Sequence, residues 1–204
     1  MRPIRTALAL LFPLAVAACS EAPTGALSPD ESSPRLAILL GCVEFNPPPV
    51  GTIFGVSAGT PPGSTIFTEA GIPVSVNPFT RPSLAVVYND MQIDVSPPFP
   101  VGAAKRARTK ELNVGFDLSA LPPVSYVELE WLDQGGAENL TVNGSPVFIG
   151  ELDAPPATIG GVWTSATFLP VPGGERGKLT LRGPVAKFQV GGQNLWIDRI
   201  CAYQ

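Results

Sequence analysis

The chain has 204 residues, of which 45% are hydrophobic and 15% charged, with 21 glycines, 24 prolines and a formal net charge of -4. This composition is typical of one globular domain rich in turns, and it argues against long helices and against a nucleic-acid partner, which needs a basic face. The absence of histidine excludes Ser-His-Asp and Cys-His catalysis and histidine metal sites.

The N-terminal 18 residues are predicted to be a secretory signal peptide. Arg2 and Arg5 precede an apolar run from Ala7 to Val16, and small residues follow. The run is too short for a comfortable membrane span, which takes about 20 apolar residues. We therefore expect residues 1–18 to be removed on secretion.

The sequence VAAC at residues 16–19 resembles the lipobox, the signal of bacterial lipoproteins. In that family the signal peptide is cut before the cysteine, whose sulfur then carries a lipid. The resemblance implies lipidation of Cys19, with two or three acyl chains such as palmitate holding the protein in a membrane. Ser20 after the cysteine implies delivery to the outer membrane or the cell surface of a bacterial envelope. The alternative is ordinary cleavage after Ala18, which leaves Cys19 as a free thiol.

Residues 19–34 are predicted to be a disordered tether behind the lipidated cysteine. The segment SEAPTGALSPDESSP is composed of Ser, Pro, Glu, Asp and Gly, with Leu27 as its one large apolar residue. Such a segment cannot bury enough apolar surface to order its backbone.

Residues 35–204 are predicted to form one all-β domain. Short apolar runs separated by Gly, Pro, Asn and Asp indicate about ten or more short strands, and this spacing is typical of a sandwich or barrel. We expect a jelly-roll-like β-sandwich, with a hairpin turn at Asn143-Gly144. The basic stretch 99–112 is predicted to be a solvated loop. The predicted strand segments are 36–45, 51–59, 63–76, 84–95, 111–119, 124–133, 138–150, 157–171, 177–183, 185–192 and 194–203.

One disulfide is predicted between Cys42 and Cys201. Secretion places the body in an oxidising compartment, and acylation of Cys19 leaves these two cysteines as the one possible pair. The bond would close a loop of about 160 residues, which corresponds to roughly 4 to 5 kcal/mol of stability. The alternative is two buried free thiols.

The last strand contains a carboxylate that needs an explanation. Strand alternation places Asp198 on one face with Trp196 and Ile200, and Cys201 on the other. An unpaired buried carboxylate costs several kcal/mol. Arg199 points to the opposite face, so a calcium ion is the better partner, because calcium binds carboxylate and backbone oxygens.

The segments LWIDRICAY near the C-terminus and CVEF at residues 42–45 resemble the end strands of jelly-roll domains of the galactose-binding-like class, which includes many carbohydrate-binding modules. In some of those modules, acidic residues on the first and last strands hold a structural calcium. By position, the resemblance implies Glu44 and Asp198 as calcium ligands here. The alternative is a carboxylate hydrogen-bonded to backbone or exposed at a sheet edge.

Trp163, which follows a Gly-Gly pair, is the predicted exposed aromatic platform for a sugar, whereas Trp131 and Trp196 are predicted to belong to the core. The residues predicted to bind sugar hydroxyls are Asp133, Gln134, Glu138, Asn139 and Asn143, which flank the Gly135-Gly136 turn. The alternatives are a solvated loop or a second, oxygen-rich calcium loop.

Three functions follow from these patterns. The leading hypothesis is a non-catalytic glycan-binding module on an envelope lipoprotein. The second is a structural or assembly subunit that binds another envelope protein. The third is a glycoside hydrolase that uses Glu128 and Glu130, which lie about 6.5 to 7 Å apart on one strand face, a separation found in inverting enzymes. Two neighbours on one strand do not flank a substrate, so we expect no enzymatic activity.

Overall fold

The structure is a computed structural model, and it describes residues 37–95 and 105–204. The predicted signal peptide, Cys19 and the tether lie outside the described residues, as does part of the basic stretch. Residues Leu36–Gln204 form one compact unit. Within the described ranges, no helix is long and apolar enough to span a membrane.

The described residues form an open sandwich of two antiparallel sheets, which confirms the predicted all-β sandwich. Sheet A has nine strands in the order β12-β13-β14-β9-β16-β7-β6-β2, with β1 beside β16, and sheet B has seven in the order β11-β10-β15-β8-β4-β3, with β5 beside β4. The strands are β1 (Leu39–Val43), β2 (Ile53–Gly55), β3 (Thr65–Glu69), β4 (Ile72–Thr80), β5 (Val86–Val87), β6 (Asp90–Asp94), β7 (Arg106–Lys110), β8 (Leu112–Asp117), β9 (Tyr126–Asp133), β10 (Glu138–Val142), β11 (Phe148–Gly150), β12 (Thr158–Ile159), β13 (Val162–Val171), β14 (Gly174–Arg182), β15 (Lys187–Gly192) and β16 (Leu195–Tyr203).

The first and last strands lie side by side, as predicted. Cys42 is directly opposite Cys201 in the β1–β16 ladder. The two residues form a disulfide, and their Cα atoms are 4.1 Å apart. The ends of the folded body are therefore joined covalently in the middle of sheet A.

Strand β16 contains a bulge at Arg199, which the sequence did not reveal. The register with β9 shifts between Asp198 and Ile200, and Arg199 has a φ of 31°. The extra residue reverses the alternation, so that Ile197 and Ile200 both pack in the main core. The prediction that Ile200 shares a face with Asp198 was therefore wrong, and Cys201 takes that place.

The main core lies between the sheets and follows the period-two pattern of the strands. On β9, Val127, Leu129 and Trp131 are buried in it, as predicted. Trp196 is also buried, but it packs with Leu132 and Val171 in a small separate cluster. This cluster lies on the outer face of sheet A, which we define as the face turned away from sheet B.

Two turn and loop predictions had different outcomes. The turn at Asn143-Gly144 is confirmed, because both residues have positive φ and the flanking strands β10 and β11 pair.

The predicted loop at 99–112 was wrong for Arg106–Lys110, which is β7 and pairs with both β6 and β16. Apolar periodicity could not reveal this strand, because its outward positions carry arginine and lysine.

A carboxylate cluster and an aromatic row

Three acidic residues meet at one end of the sandwich. Asp133 ends β9 in sheet A, Glu138 begins β10 in sheet B, and Glu151 follows β11. Asp133 continues the inward-facing series of Trp131 on its strand, and Glu138 begins the inward-facing series of Leu140 on its own. One carboxylate oxygen of each of the three acids lies within 4.8 Å of the others, so this triad could hold a metal ion.

The turn that joins β9 to β10 brings the first two acids together. Gly135 and Gly136 adopt φ values of 104° and 101°, a region that favours glycine. The backbone N–H of Gly135 donates a hydrogen bond to Asp133 Oδ1 at 2.9 Å. The chain thus crosses from sheet A to sheet B in a tight loop, and both carboxylates stay inside the end of the sandwich.

Glu138 is the most constrained member of the triad. Its side chain is fully buried, and its Oε2 accepts a hydrogen bond from the Leu152 N–H at 3.2 Å. Its Oε1 is buried and accepts no hydrogen bond from an N–H or hydroxyl group of the described residues, and the side-chain partner of Glu138 is a second carboxyl group, that of Asp133. Glu138 Oε1 lies in the part of the fold where the other two carboxylates converge.

The cluster concentrates negative charge. Burial, together with the charges of Asp133 and Glu151, raises the pKa of Glu138 to about 9. Burial also raises the pKa of Asp133 and, helped by the charges of Asp133 and Asp153, that of Glu151. Carboxylates at this separation cannot all remain ionised without compensation. They need either a retained proton or a cation.

An open cleft connects two members of the triad, Asp133 and Glu151, with solvent. It is lined by Asp133, Gln134, Gly135, Glu151, Asp153, Gly173, Gly174 and Glu175. This lining, which belongs wholly to the described part of the chain, contains two further carboxylates and no lysine or arginine. A small cation can therefore reach Asp133 and Glu151 without meeting a positive side chain in the lining.

Asp198 and Glu44 have other partners in the fold. Asp198 is fully buried, and its Oδ2 lies 3.3 Å from the Nε of the buried Arg106 on β7. Glu44 Oε2 accepts a hydrogen bond from Asn46 Nδ2 at 3.4 Å. In the described residues, the acidic group with the spacing of metal ligands is the triad, and it includes neither Glu44 nor Asp198.

The amide side chains predicted to bind a ligand act within the fold. Asn139 is buried, accepts a hydrogen bond from the Thr80 N–H at 2.7 Å and donates one to the Thr80 carbonyl at 2.9 Å. Gln134 Oε1 accepts a hydrogen bond from Trp196 Nε1 at 3.2 Å. Asn143 Oδ1 accepts one from the Ala186 N–H at 2.9 Å.

Trp163 is exposed, with 66% of its surface accessible, and it belongs to a row of large side chains across sheet A. Trp163 on β13 lies opposite Arg182 on β14, which lies opposite Tyr126 on β9, which lies opposite Tyr203 on β16. The Arg182 guanidinium carbon is 5.5 Å from the centre of the Tyr126 ring, and the Tyr126 and Tyr203 rings are 5.3 Å apart. We call these four residues the aromatic row.

The aromatic row and the triad occupy opposite ends of β9. Tyr126 begins this strand and Asp133 ends it, a separation of roughly 23 Å at about 3.3 Å per residue. The structure therefore brings together Asp133 and Glu138 from the predicted ligand-binding set, but it does not bring Trp163 to them.

Glu128 and Glu130 lie on the same outer face of β9, beside the aromatic row. Glu128 accepts a hydrogen bond from the Tyr126 hydroxyl and pairs with Lys178 Nζ at 3.1 Å. Glu130 pairs with Arg199 at 3.7 Å. Both carboxylates belong to charge pairs across neighbouring strands of one sheet, an arrangement unlike the facing acids of a glycosidase cleft.

Glu151 is the site residue that the sequence analysis missed. Its neighbour Gly150 pairs with Glu138 in the β10–β11 ladder. The Asn-Gly turn signal predicts this hairpin, but a two-residue turn would pair Glu138 with Ile149, one position away from the observed partner Gly150. The turn signal therefore indicates the neighbourhood of Glu138 without identifying residue 151. The oxygen-rich calcium loop, an alternative in the sequence analysis, contained two of the three acids, Asp133 and Glu138.

No protein-family model, curated protein or solved structure matches this chain. The resemblances to lipoprotein signals and to galactose-binding-like domains remain predictions.

Proposed function

We propose that this protein is an envelope-anchored, non-catalytic glycan-binding module, and that the aromatic row is its ligand surface. The observation that carries the proposal is the alignment of Trp163, Arg182, Tyr126 and Tyr203 across four neighbouring strands. Strands lie about 4.8 Å apart, so the row extends over roughly 14 Å. That length suits a short oligosaccharide lying across the sheet.

The chemistry of the row supports a sugar ligand. Aromatic rings supply flat apolar surfaces, on which the C–H faces of a pyranose can stack, and tyrosine adds a hydroxyl at the ring edge. Arg182, Lys178 and Glu128 offer charged hydrogen-bonding groups beside the rings. The Tyr126 ring is held by Arg182 and Tyr203, so part of the surface is ordered before binding.

A glycan array can test this proposal, with the full chain carrying Cys19→Ala so that it is secreted without lipid. Trp163→Ala in the same background should weaken binding to any glycan retained by at least tenfold. The control is Phe168→Ala, which removes an exposed ring from the same strand outside the row. Failure to retain any glycan, or binding unchanged by Trp163→Ala, would overturn the proposal.

The envelope location is the second part of the proposal, and the N-terminal sequence supports it. VAAC at residues 16–19 and the polar segment after it fit a lipid anchor and a spacer. Fractionation of a bacterial host that expresses the chain tests this assignment. Wild-type protein should sediment with the membranes and incorporate labelled palmitate, whereas Cys19→Ala should be soluble and unlabelled. Sedimentation of Cys19→Ala with the membranes would contradict the lipid anchor.

A further inference from the structure

We propose that Asp133, Glu138 and Glu151 form a calcium site that joins the two sheets at one end of the sandwich. Asp153 and Glu175 line the cleft that leads to it and add negative charge at its entrance. This site is separate from the proposed glycan surface, and it does not involve Glu44 or Asp198.

The first argument is the buried Oε1 of Glu138. This side chain is fully buried, and no N–H or hydroxyl group of the described residues donates a hydrogen bond to its Oε1. The same protein buries a second carboxylate, Asp198, and there it supplies Arg106 at 3.3 Å. Around Glu138 the nearby charged groups that affect it are Asp133 and Glu151, which are also acidic. When Glu138 is ionised, the compensating positive charge has to come from a cation in solution.

The second argument is the spacing of the ligand atoms. Calcium binds oxygen at about 2.3 to 2.6 Å, so two ligands on opposite sides of one ion are at most roughly 5 Å apart. The three carboxylate oxygens all lie within 4.8 Å of one another. One ion placed between them can therefore contact all three without rearrangement of the backbone.

The third argument concerns the kind of ion. The triad offers oxygen donors alone, which favours a hard cation over zinc or copper. Glu151 is exposed, and the cleft is open to solvent, so several waters can complete a coordination shell of six to eight ligands. Magnesium requires a tighter octahedron at about 2.0 to 2.1 Å, which carboxylates anchored on two sheets and a loop suit less well.

Binding at this position would hold three parts of the chain together. Asp133 belongs to sheet A, Glu138 to sheet B, and Glu151 to the segment after β11. An ion that bridges them links the sheets where the β9–β10 turn crosses between them. Because the aromatic row is at the other end of β9, we expect calcium to raise stability and to leave the proposed glycan contacts unchanged.

The test uses the full chain with Cys19→Ala, stripped with EDTA and dialysed into chelator-free buffer. Titration with calcium chloride in a calorimeter should reveal one binding site. Free calcium at about 100 times the Kd should raise the Tm by about 5 to 10 °C. Absence of both binding heat and a Tm shift at millimolar calcium would overturn the proposal. An equal Tm shift with magnesium at the same concentration would overturn the assignment of calcium.

Glu138→Gln separates a binding role from a purely structural one. The amide keeps the shape of the protonated acid but cannot ionise to bind a cation, so in EDTA the variant should melt at or above the Tm of the parent chain. Calcium at the same concentration should then raise its Tm by less than 1 °C, which corresponds to an affinity about 100-fold lower than that of the parent. Glu130→Gln, on the outer face of β9 in sheet A, is the matched control and should respond to calcium like the parent. Calcium binding unchanged by Glu138→Gln would refute the site.

Discussion

Arg106 Nε lies 3.3 Å from Asp198 Oδ2, and both side chains are at least 95% buried. The two residues are on the neighbouring strands β7 and β16, beneath the outer surface of sheet A. Arg108, two positions further along β7 and on the same face, lies over the Trp196 ring, with its guanidinium carbon 5.2 Å from the ring centre. The arginines of β7 thus compensate the aspartate and shield the tryptophan of the last strand.

Replacing Arg106 with methionine should destabilise the fold by about 3 to 5 kcal/mol, because it leaves the carboxylate of Asp198 buried without its cation. Chemical denaturation in urea measures this loss. The double variant Arg106→Met/Asp198→Leu should recover most of it, since removal of both charges also removes the cost of burying them. A double variant as unstable as Arg106→Met alone would show that the ion pair is not the origin of the loss.

The sequence predicted that Asp198 needed a partner, but it did not identify the partner. Arg106 lies 92 positions earlier, in a basic stretch without apolar alternation, so no local pattern marks it as a strand. The bulge at Arg199 was equally hidden, because a bulge adds one residue without a composition signal of its own. By contrast, the pairing of Cys42 with Cys201 followed from counting cysteines and from the position of the two end strands.

Removing the disulfide should cost about 4 to 5 kcal/mol. Cys42 and Cys201 are separated by 159 positions, and the bond removes the entropy of that loop from the unfolded chain. The measurement compares urea unfolding of the parent with that of Cys42→Ala/Cys201→Ala, both without reductant. Addition of dithiothreitol should bring the parent close to the double variant and leave the variant unchanged. Equal stability of the two proteins without reductant would contradict this prediction.

Acid should selectively remove the contribution of the Arg81–Glu111 pair. Arg81 donates two hydrogen bonds of 2.7 Å to the Glu111 carboxylate, and these bonds hold the pKa of Glu111 below its usual value of 4.5. A carboxylate whose pKa is lower in the folded state stabilises the fold above its unfolded-state pKa and loses this effect as the pH falls through the folded-state value.

The variant Arg81→Gln should therefore be less stable than the parent at pH 7, and the difference should shrink below about pH 4.5. Urea midpoints measured from pH 7 to pH 3 give this difference directly. Arg81→Lys keeps the charge but loses the bidentate geometry. Its stability at pH 7 should lie between that of the parent and that of Arg81→Gln. A difference that is the same at pH 7 and pH 3 would mean that Glu111 does not mediate the effect.

Only part of the acidic site could be predicted from the sequence. Asp133 and Glu138 flank a Gly-Gly turn and were identified as oxygen donors from that local pattern alone. Their convergence with Glu151 depends on the pairing of β10 with β11 and on the β9–β10 turn, which crosses from one sheet to the other. Both are features of the tertiary structure. Trp163 was correctly expected to be exposed, but its neighbours in the aromatic row come from three other strands, in a register that no single segment encodes.

Gly177 on β14 should tolerate no side chain. It lies opposite Trp131 in the β9–β14 ladder, and a Cβ at this position would be 2.5 Å from Trp131 Cζ2 and 2.6 Å from the Thr167 carbonyl oxygen. Both distances are far below van der Waals contact, and the indole is fully buried, so it has little space into which to move. We expect Gly177→Ala to destabilise the fold by about 1 to 3 kcal/mol through overpacking.

A double-mutant cycle with Trp131→Phe isolates this steric term. The smaller ring leaves room for the new methyl group, so the loss in Gly177→Ala/Trp131→Phe should be smaller than the sum of the two single losses. Thr167→Ala, an exposed position on the adjacent strand, is the control and should change stability by no more than about 0.5 kcal/mol. Strict additivity in the cycle would mean that the clash with the Thr167 carbonyl, rather than with the indole, determines why this position is glycine.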